Sequence, residues 1–193
     1  MYSINNYKNI KLANIKQNRF LSIAKLDVSV FHVDDLARIW GVNNRNTLLT
    51  SLKRYVESGL IHRLYRGLYS IKPLAELDPF LLGAQAINDY CYLSGETILA
   101  KQGIIFQQVG YFTFIGEKTK RFKIGDYKYY CRQLKDGFLY NDVGIDKTGK
   151  FNLATPERAV ADILYFNPKY HFDNPDVINW REVSRIQAAV YNK

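Results

Sequence analysis

A chain of 193 residues that is 47% hydrophobic, 15% aromatic and 23% charged has the makeup of a folded protein, with one substantial core or two small ones, and not of a disordered segment. No apolar run approaches the roughly 18 residues of a membrane span, and the opening MYSINNYKNIKLANIKQNRF lacks the apolar stretch of a secretory signal, so a cytoplasmic protein is expected. The net charge of +9 is unevenly divided: residues 1–73 hold 12 Lys and Arg against 4 Asp and Glu, and residues 74–193 hold 15 against 14. An excess confined to the first part implies that this part faces a polyanion.

The first 73 residues alternate helical patterns with turn signals. Ile15, Phe20, Ile23 and Ala24 recur near a helical period, which predicts a helix over 15–25. FHVDDLARIWGV predicts a short second helix with Asp34 and Asp35 in its first turn, Leu36, Ala37, Ile39 and Trp40 on its apolar side and Gly41 at its end. A third helix over 44–58 places Leu48, Leu49, Leu52, Tyr55 and Val56 on one stripe. Its other face carries Thr47, Thr50, Lys53 and Arg54, and Gly59 closes it. LIHRLYRGLYSI, residues 60–71, has two β-prone runs around Arg66 and Gly67, which predicts a hairpin with Arg63 and Arg66 near its tip. Three helices followed by a basic hairpin is the order of a winged helix-turn-helix.

In such a unit the N-terminal end of the recognition helix enters the major groove of double-stranded DNA, where its side chains must reach base edges. Asn43, Asn44, Arg45, Asn46 and Thr47 form such a set: Asn bonds adenine, Arg bonds guanine, and Thr contacts the thymine methyl or a phosphate. Thr50, Lys53 and Arg54 lie further along and suit the phosphate backbone, as do Arg63 and Arg66 on the hairpin. Asn is also a good helix cap, so part of this set has a purely structural reading.

The two prolines of KPLAELDP, residues 72–79, mark a boundary, which predicts domains over 1–73 and 78–193. Beyond it, Asp78 and Pro79 open a helix through Asn88, and the run YLSGETILAKQG, residues 92–103, offers Ser94 as the cap of another helix, with Thr97 at its third position. Three aromatic, glycine-bounded runs follow, IIFQQVGYFTFIG, KRFKIGDYKYYCRQL and GFLYNDVGI. They predict an antiparallel sheet and, for the whole chain, an α+β fold. NLATPERAVADILY, residues 152–165, has Thr155 as cap, Pro156 at the first helical position and Ala159, Val160, Ile163 and Leu164 on its apolar side. A last amphipathic helix is expected over 179–191.

Three segments, GLIHRLYRGLYSI, YLSGETILAKQG and NLATPERAVADIL, resemble in their order and spacing the AbiEi-type antitoxins of bacterial type IV toxin–antitoxin systems, over residues 20–165. The resemblance implies an N-terminal winged helix that represses its own promoter at inverted repeats. It also implies a C-terminal domain that counteracts a nucleotidyltransferase-like toxin without a stable complex. The chain differs from longer members in its short region after residue 165.

No enzyme motif stands out. Gly and Ser in YLSGET run in the opposite order to a nucleotidyltransferase turn, and there is no phosphate loop or nucleophile with a His partner. Cys91 and Cys131 stand forty positions apart and His32, His62 and His171 are scattered, so ordinary buried thiols and neither metal nor cofactor are expected. Two alternatives remain. Asp126 and Lys128 have the acidic-x-Lys spacing of a metal-dependent nuclease, in a segment that reads as a hairpin turn. The aromatic residues between Tyr90 and Tyr140 would suit either a core or the pocket of a metabolite-sensing repressor.

Overall fold

In the computed structural model residues 19–25 and 28–192 are described, and the chain divides into two compact units, Met1–Leu77 and Asp78–Lys193. The first unit begins, among the described residues, with helical residues 19–24 (α1). Ile15 and the start of the expected first helix lie outside the described residues. Ile23 is buried and Phe20 half-buried, but Ala24 is exposed, so the apolar side of α1 is narrower than its spacing suggested.

A strand that the sequence pattern had merged into the second helix follows: β1 spans Val30–His32, and α2 begins only at Val33, running to Trp40. The His32 N–H donates to Asp35 Oδ2 at 3.0 Å, closing the helix start. Val33 and Leu36 are buried, with Ala37 and Trp40 packed against the core. Ile39, expected on the apolar side, is exposed, because at 100° per residue it falls about 110° from the centre of the stripe made by Val33, Leu36, Ala37 and Trp40.

The third helix, α3, spans Arg45–Glu57 and buries Leu48, Leu52 and Tyr55. Leu49, expected in the same stripe, is exposed because it lies about 90° around the helix from the stripe's centre. Strands β2 (His62–Tyr65) and β3 (Leu68–Ser70) form the expected hairpin, turning at Arg66 and Gly67. β1 pairs antiparallel with β3, which gives a three-stranded sheet in the order β1-β3-β2.

The second unit is built on a six-stranded sheet in the order β6-β7-β5-β4-β9-β8. Its elements in chain order are α4 (Pro79–Ile87), β4 (Cys91–Leu93), α5 (Glu96–Lys101), β5 (Phe112–Gly116), β6 (Lys120–Ile124), β7 (Tyr127–Gln133), α6 (Asp136–Leu139), β8 (Ile145–Asp146), β9 (Asn152–Ala154), α7 (Pro156–Phe166) and α8 (Trp180–Tyr191). The sheet is mixed where an antiparallel one was expected: β4·β5, β6·β7 and β8·β9 run antiparallel, but β4·β9 and β5·β7 run parallel. β7 enters between β5 and β6, the strand it forms a hairpin with, and so lies parallel to the former.

Residue alternation sends Phe112, Phe114 and Tyr129 to one face of the sheet and Tyr92 to the other. α4 packs on the first face so closely that a Cβ on Gly83 would stand 2.5 Å from the Tyr129 ring. α7 packs on the second, where its Arg158 and Asp162, both fully buried, meet Tyr92. Asp78 and Thr155 cap α4 and α7 as expected, accepting from Phe80 N and Arg158 N.

Two expectations fail around Arg158. Ser94 is no cap, since Gly95 occupies that position. Its hydroxyl donates to Asp162 Oδ2 at 2.6 Å, while Thr97 Oγ1 accepts from Thr113 N at 2.7 Å. GFLYNDVGI is not a strand over most of its length: Phe138 and Leu139 lie in α6, and only Ile145 enters the sheet. The carbonyls of Phe138, Asn141 and Val143 turn toward the Arg158 guanidinium, which donates to all three, so they are unavailable to a strand ladder.

The Arg158 fork makes five hydrogen bonds: Nε to Asp162, Nη1 to Asn141 O and Val143 O, and Nη2 to the Tyr92 hydroxyl and Phe138 O. Removing one partner of a buried ion pair leaves the other charge uncompensated. Arg158→Met should therefore lower unfolding free energy by about 3–5 kcal/mol in a urea titration, and Arg158→Met combined with Asp162→Leu should cost less than the two single changes added together.

Cys91 and Cys131 are free and buried, and burial pushes both thiols from an ordinary value of 9.0 up to about 12. A group whose folded value is raised contributes stability that is present below its unfolded value and lost as pH rises through the folded one. Neither thiol should react with iodoacetamide in the native protein at pH 8, both should react in denaturant, and stability should fall between pH 9 and 12.

Candidate nucleic-acid interface

The junction between α2 and α3 is set by local chemistry. Gly41 takes φ +58°, a left-handed conformation that residues with a Cβ rarely adopt, and its N–H bonds Arg38 O while Val42 N bonds Ala37 O. α2 stops there, and three residues later Asn44 begins α3, its side chain accepting from Thr47 N at 3.0 Å. The Trp40 and Tyr55 rings, 5.4 Å apart, pack the end of α2 against α3. Arg19 braces the same junction from α1, with its guanidinium 5.5 Å from the Trp40 ring and 3.5 Å from the Ser51 hydroxyl, while Trp40 Nε1 donates to Arg19 O. This bracing was invisible in the sequence because Arg19 and Ser51 are 32 positions apart.

All ten residues singled out by sequence are exposed: Asn43, Asn44, Arg45, Asn46, Thr47, Thr50, Lys53 and Arg54 on and before α3, and Arg63 and Arg66 on the hairpin. Asn46, Thr47, Thr50, Lys53 and Arg54 lie on the side away from Leu48, Leu52 and Tyr55, whose burial orients the helix, and Arg45 is exposed in its first turn. Asn44 is the cap, so its carboxamide oxygen is occupied in the free protein.

Arg45 stands at the first helical position, where the positive end of the helix dipole disfavours a cation. Asp34, in the first turn of α2, offsets this at 3.5 Å, with both side chains largely in solvent. Lys53 has Glu57 at 3.7 Å. Among the described residues Arg54, Arg63 and Arg66 have no ion-pair partner. The face thus offers one weakly held and three uncompensated guanidinium groups, together with neutral amides and hydroxyls. Such a set can grip phosphates and hydrogen-bond base edges.

In the second unit, Asp126 sits at the turn between β6 and β7, fully in solvent, with Lys123 3.5 Å away. Among the described residues no group of three or more His, Cys, Asp or Glu stands close enough to hold a metal ion, and no helix is long and apolar enough to cross a membrane.

No family model and no curated protein matches this sequence. Among solved structures it is similar to the crystal structure of the RV2827C protein from Mycobacterium tuberculosis, at 12% identity and a TM-score of 0.57, over 92% of this chain and 72% of that one. The likeness is one of fold.

Because Asn44 serves the helix as well as facing solvent, Asn44→Ala should lower thermal stability by about 1 kcal/mol, the usual loss for a missing cap, whereas Asn43→Ala and Asn46→Ala should leave the melting midpoint unchanged. Asp34→Asn should also leave it unchanged, since an exposed pair contributes little.

Proposed function

We propose that the first unit is a winged helix-turn-helix that binds double-stranded DNA, with α3 as the recognition helix and β2–β3 as the wing, and that the chain is a transcriptional repressor. One observation carries this reading. The N-terminal turn of α3, presented after a short, internally braced turn, exposes Arg45, Asn46 and Thr47, with Asn43 just before the cap, on a helix that buries Leu48, Leu52 and Tyr55. The element order α1, β1, α2, α3, β2, β3 and the +8 charge balance of residues 1–73 support it.

On this reading Arg45 leaves Asp34 for a guanine edge, and Asn46 and Thr47 contact neighbouring bases. Arg54, Lys53 and Thr50 hold phosphates along the groove wall, and Arg63 and Arg66 reach the adjacent backbone or minor groove. The target is taken to be inverted repeats in the chain's own promoter, and the partner countered by the second unit a nucleotidyltransferase-like toxin. Both follow from the resemblance to AbiEi-type antitoxins. Two of the segments that carry it, YLSGETILAKQG and NLATPERAVADIL, contact each other through the Ser94–Asp162 hydrogen bond.

Titration of the full chain against its promoter fragment and a scrambled duplex, at several salt concentrations, tests the DNA reading. Each phosphate contact contributes a log–log salt slope of about −0.9. Arg45→Ala should cost about 1–3 kcal/mol on the promoter and little on the scrambled duplex. Arg54→Ala should weaken both by similar factors and reduce the slope by about one contact. Asp34→Asn should tighten promoter binding, because Arg45 no longer has to leave a carboxylate. Equal loss on both duplexes for Arg45→Ala would make it a phosphate clamp and remove α3 as the reading helix, and a flat salt response would remove DNA binding altogether.

A further inference from the structure

The second unit contains a cleft of about 430 Å³, bounded by α4, α5, the segment 103–111 and the start of β5. That volume falls within the range of about 300–1,000 Å³ typical of small-molecule sites. Its walls are aromatic: Phe80 of α4 meets Phe112 of β5 edge to face at 4.9 Å.

Phe106 stands at the rim with 71% of its surface in water, an apolar exposure that a bound molecule would relieve. Its backbone is tethered, since its N–H donates to Asp173 Oδ2 at 2.7 Å and Ile104 O accepts from Asn174 N at 3.1 Å. Ile104 and Ile105 beside it are buried. The backbone that carries the ring is therefore held at the cleft's edge by flanking contacts.

The polar groups of the lining select the ligand's charge. Among the described residues Lys101 is the one charged residue there, its Nζ 5.0 Å from the centre of the Phe80 ring. Among the described residues it has no carboxylate partner. Among the described residues no Asp or Glu lines the cleft, so a cationic guest would find aromatic faces but an opposing ammonium group, whereas an anion would pair with that group beside an apolar wall. Gln107 and Gln108 add side-chain amides with no hydrogen bond among the described residues.

We propose that this cleft binds a small planar aromatic molecule carrying a negative charge, with its ring between Phe80 and Phe106 and its anionic group on Lys101. The site lies wholly within the second unit and stands whether or not the first unit binds DNA.

Isothermal titration of the full chain with 2-naphthoate, 2-naphthol and 2-naphthylmethylammonium tests it. Naphthoate should bind one to one with a dissociation constant below about 1 mM, tighter than naphthol, and the ammonium probe should bind weakest. Lys101→Gln should weaken naphthoate about tenfold while changing naphthol less than about twofold, and Phe106→Ala should weaken both. Both side chains are exposed, so the melting midpoint of each variant should match that of the parent. Absence of naphthoate binding at 1 mM, equal affinity for the ammonium probe, or an unchanged naphthoate affinity in Lys101→Gln would each overturn the proposal.

Discussion

Arg158 is a cation with no access to water, and the second unit is arranged around making that tolerable. A guanidinium has five N–H donors in a fixed plane, and all five are used, on Asp162, the Tyr92 hydroxyl and three backbone carbonyls between Phe138 and Val143. Asp162, also buried, accepts in addition from Ser94, Tyr92 and Tyr191. Burial pushes its carboxyl up from the carboxylate range, and Arg158 and the hydroxyl donors oppose that. The Arg158 guanidinium is held more firmly protonated than usual by Asp162 despite its burial. The network ties α7 to α8 through Tyr191, to the sheet through Tyr92, and to the end of α6 and the segment after it through the carbonyls of Phe138, Asn141 and Val143. Apolar packing alone would leave the relative rotation of these elements less specified than directional hydrogen bonds do.

The first unit is organised differently. Its core of Ile23, Phe31, Val33, Leu36, Leu48, Leu52, Tyr55, Ile61 and Tyr69 is apolar or aromatic, and its chemistry points outward. Directional contacts are concentrated at one place, the junction of α1, α2 and α3, where Arg19, Trp40, Ser51 and Tyr55 meet and Asp34 reaches Arg45. A small unit that must present one helix end in a defined orientation gains most from rigidity at that end. The proposed reading residues follow within a few positions of it. The cation at the first position of α3 is paired with an exposed carboxylate, a contact that contributes little.

Much of the candidate interface was legible in the sequence because its determinants are local. Asn44 caps the residue three positions on, Gly41 takes the left-handed turn that stops α2, Gly67 lies at the hairpin turn, and the exposure of Thr47, Thr50, Lys53 and Arg54 follows from helical periodicity once Leu48, Leu52 and Tyr55 face inward. The errors there lie at the edges of stripes, where Ile39 and Leu49 are apolar enough to join a buried face but are turned too far around their helices to reach it. β1 was missed because a three-residue strand holds a single alternation, too short a pattern to separate from a helix start. The pairing of Asp34 with Arg45 was equally hidden, since it depends on how two helices cross.

In the second unit the division falls elsewhere. Asp78, Pro79, Thr155, Pro156 and Asn179 determined by themselves where α4, α7 and α8 begin, since a cap or a proline acts on the backbone of its own first turn. Only the tertiary structure decided that Ser94 bonds a carboxylate 68 positions away instead of capping α5, that GFLYNDVGI gives its carbonyls to Arg158 instead of to a strand, and that β7 lies parallel to β5. A hydroxyl, a carbonyl or a strand edge can satisfy its hydrogen bonds with several partners. Which one it takes is set by the buried charge that has no alternative, and neither the burial of Arg158 nor its distant partners can be read from neighbouring residues.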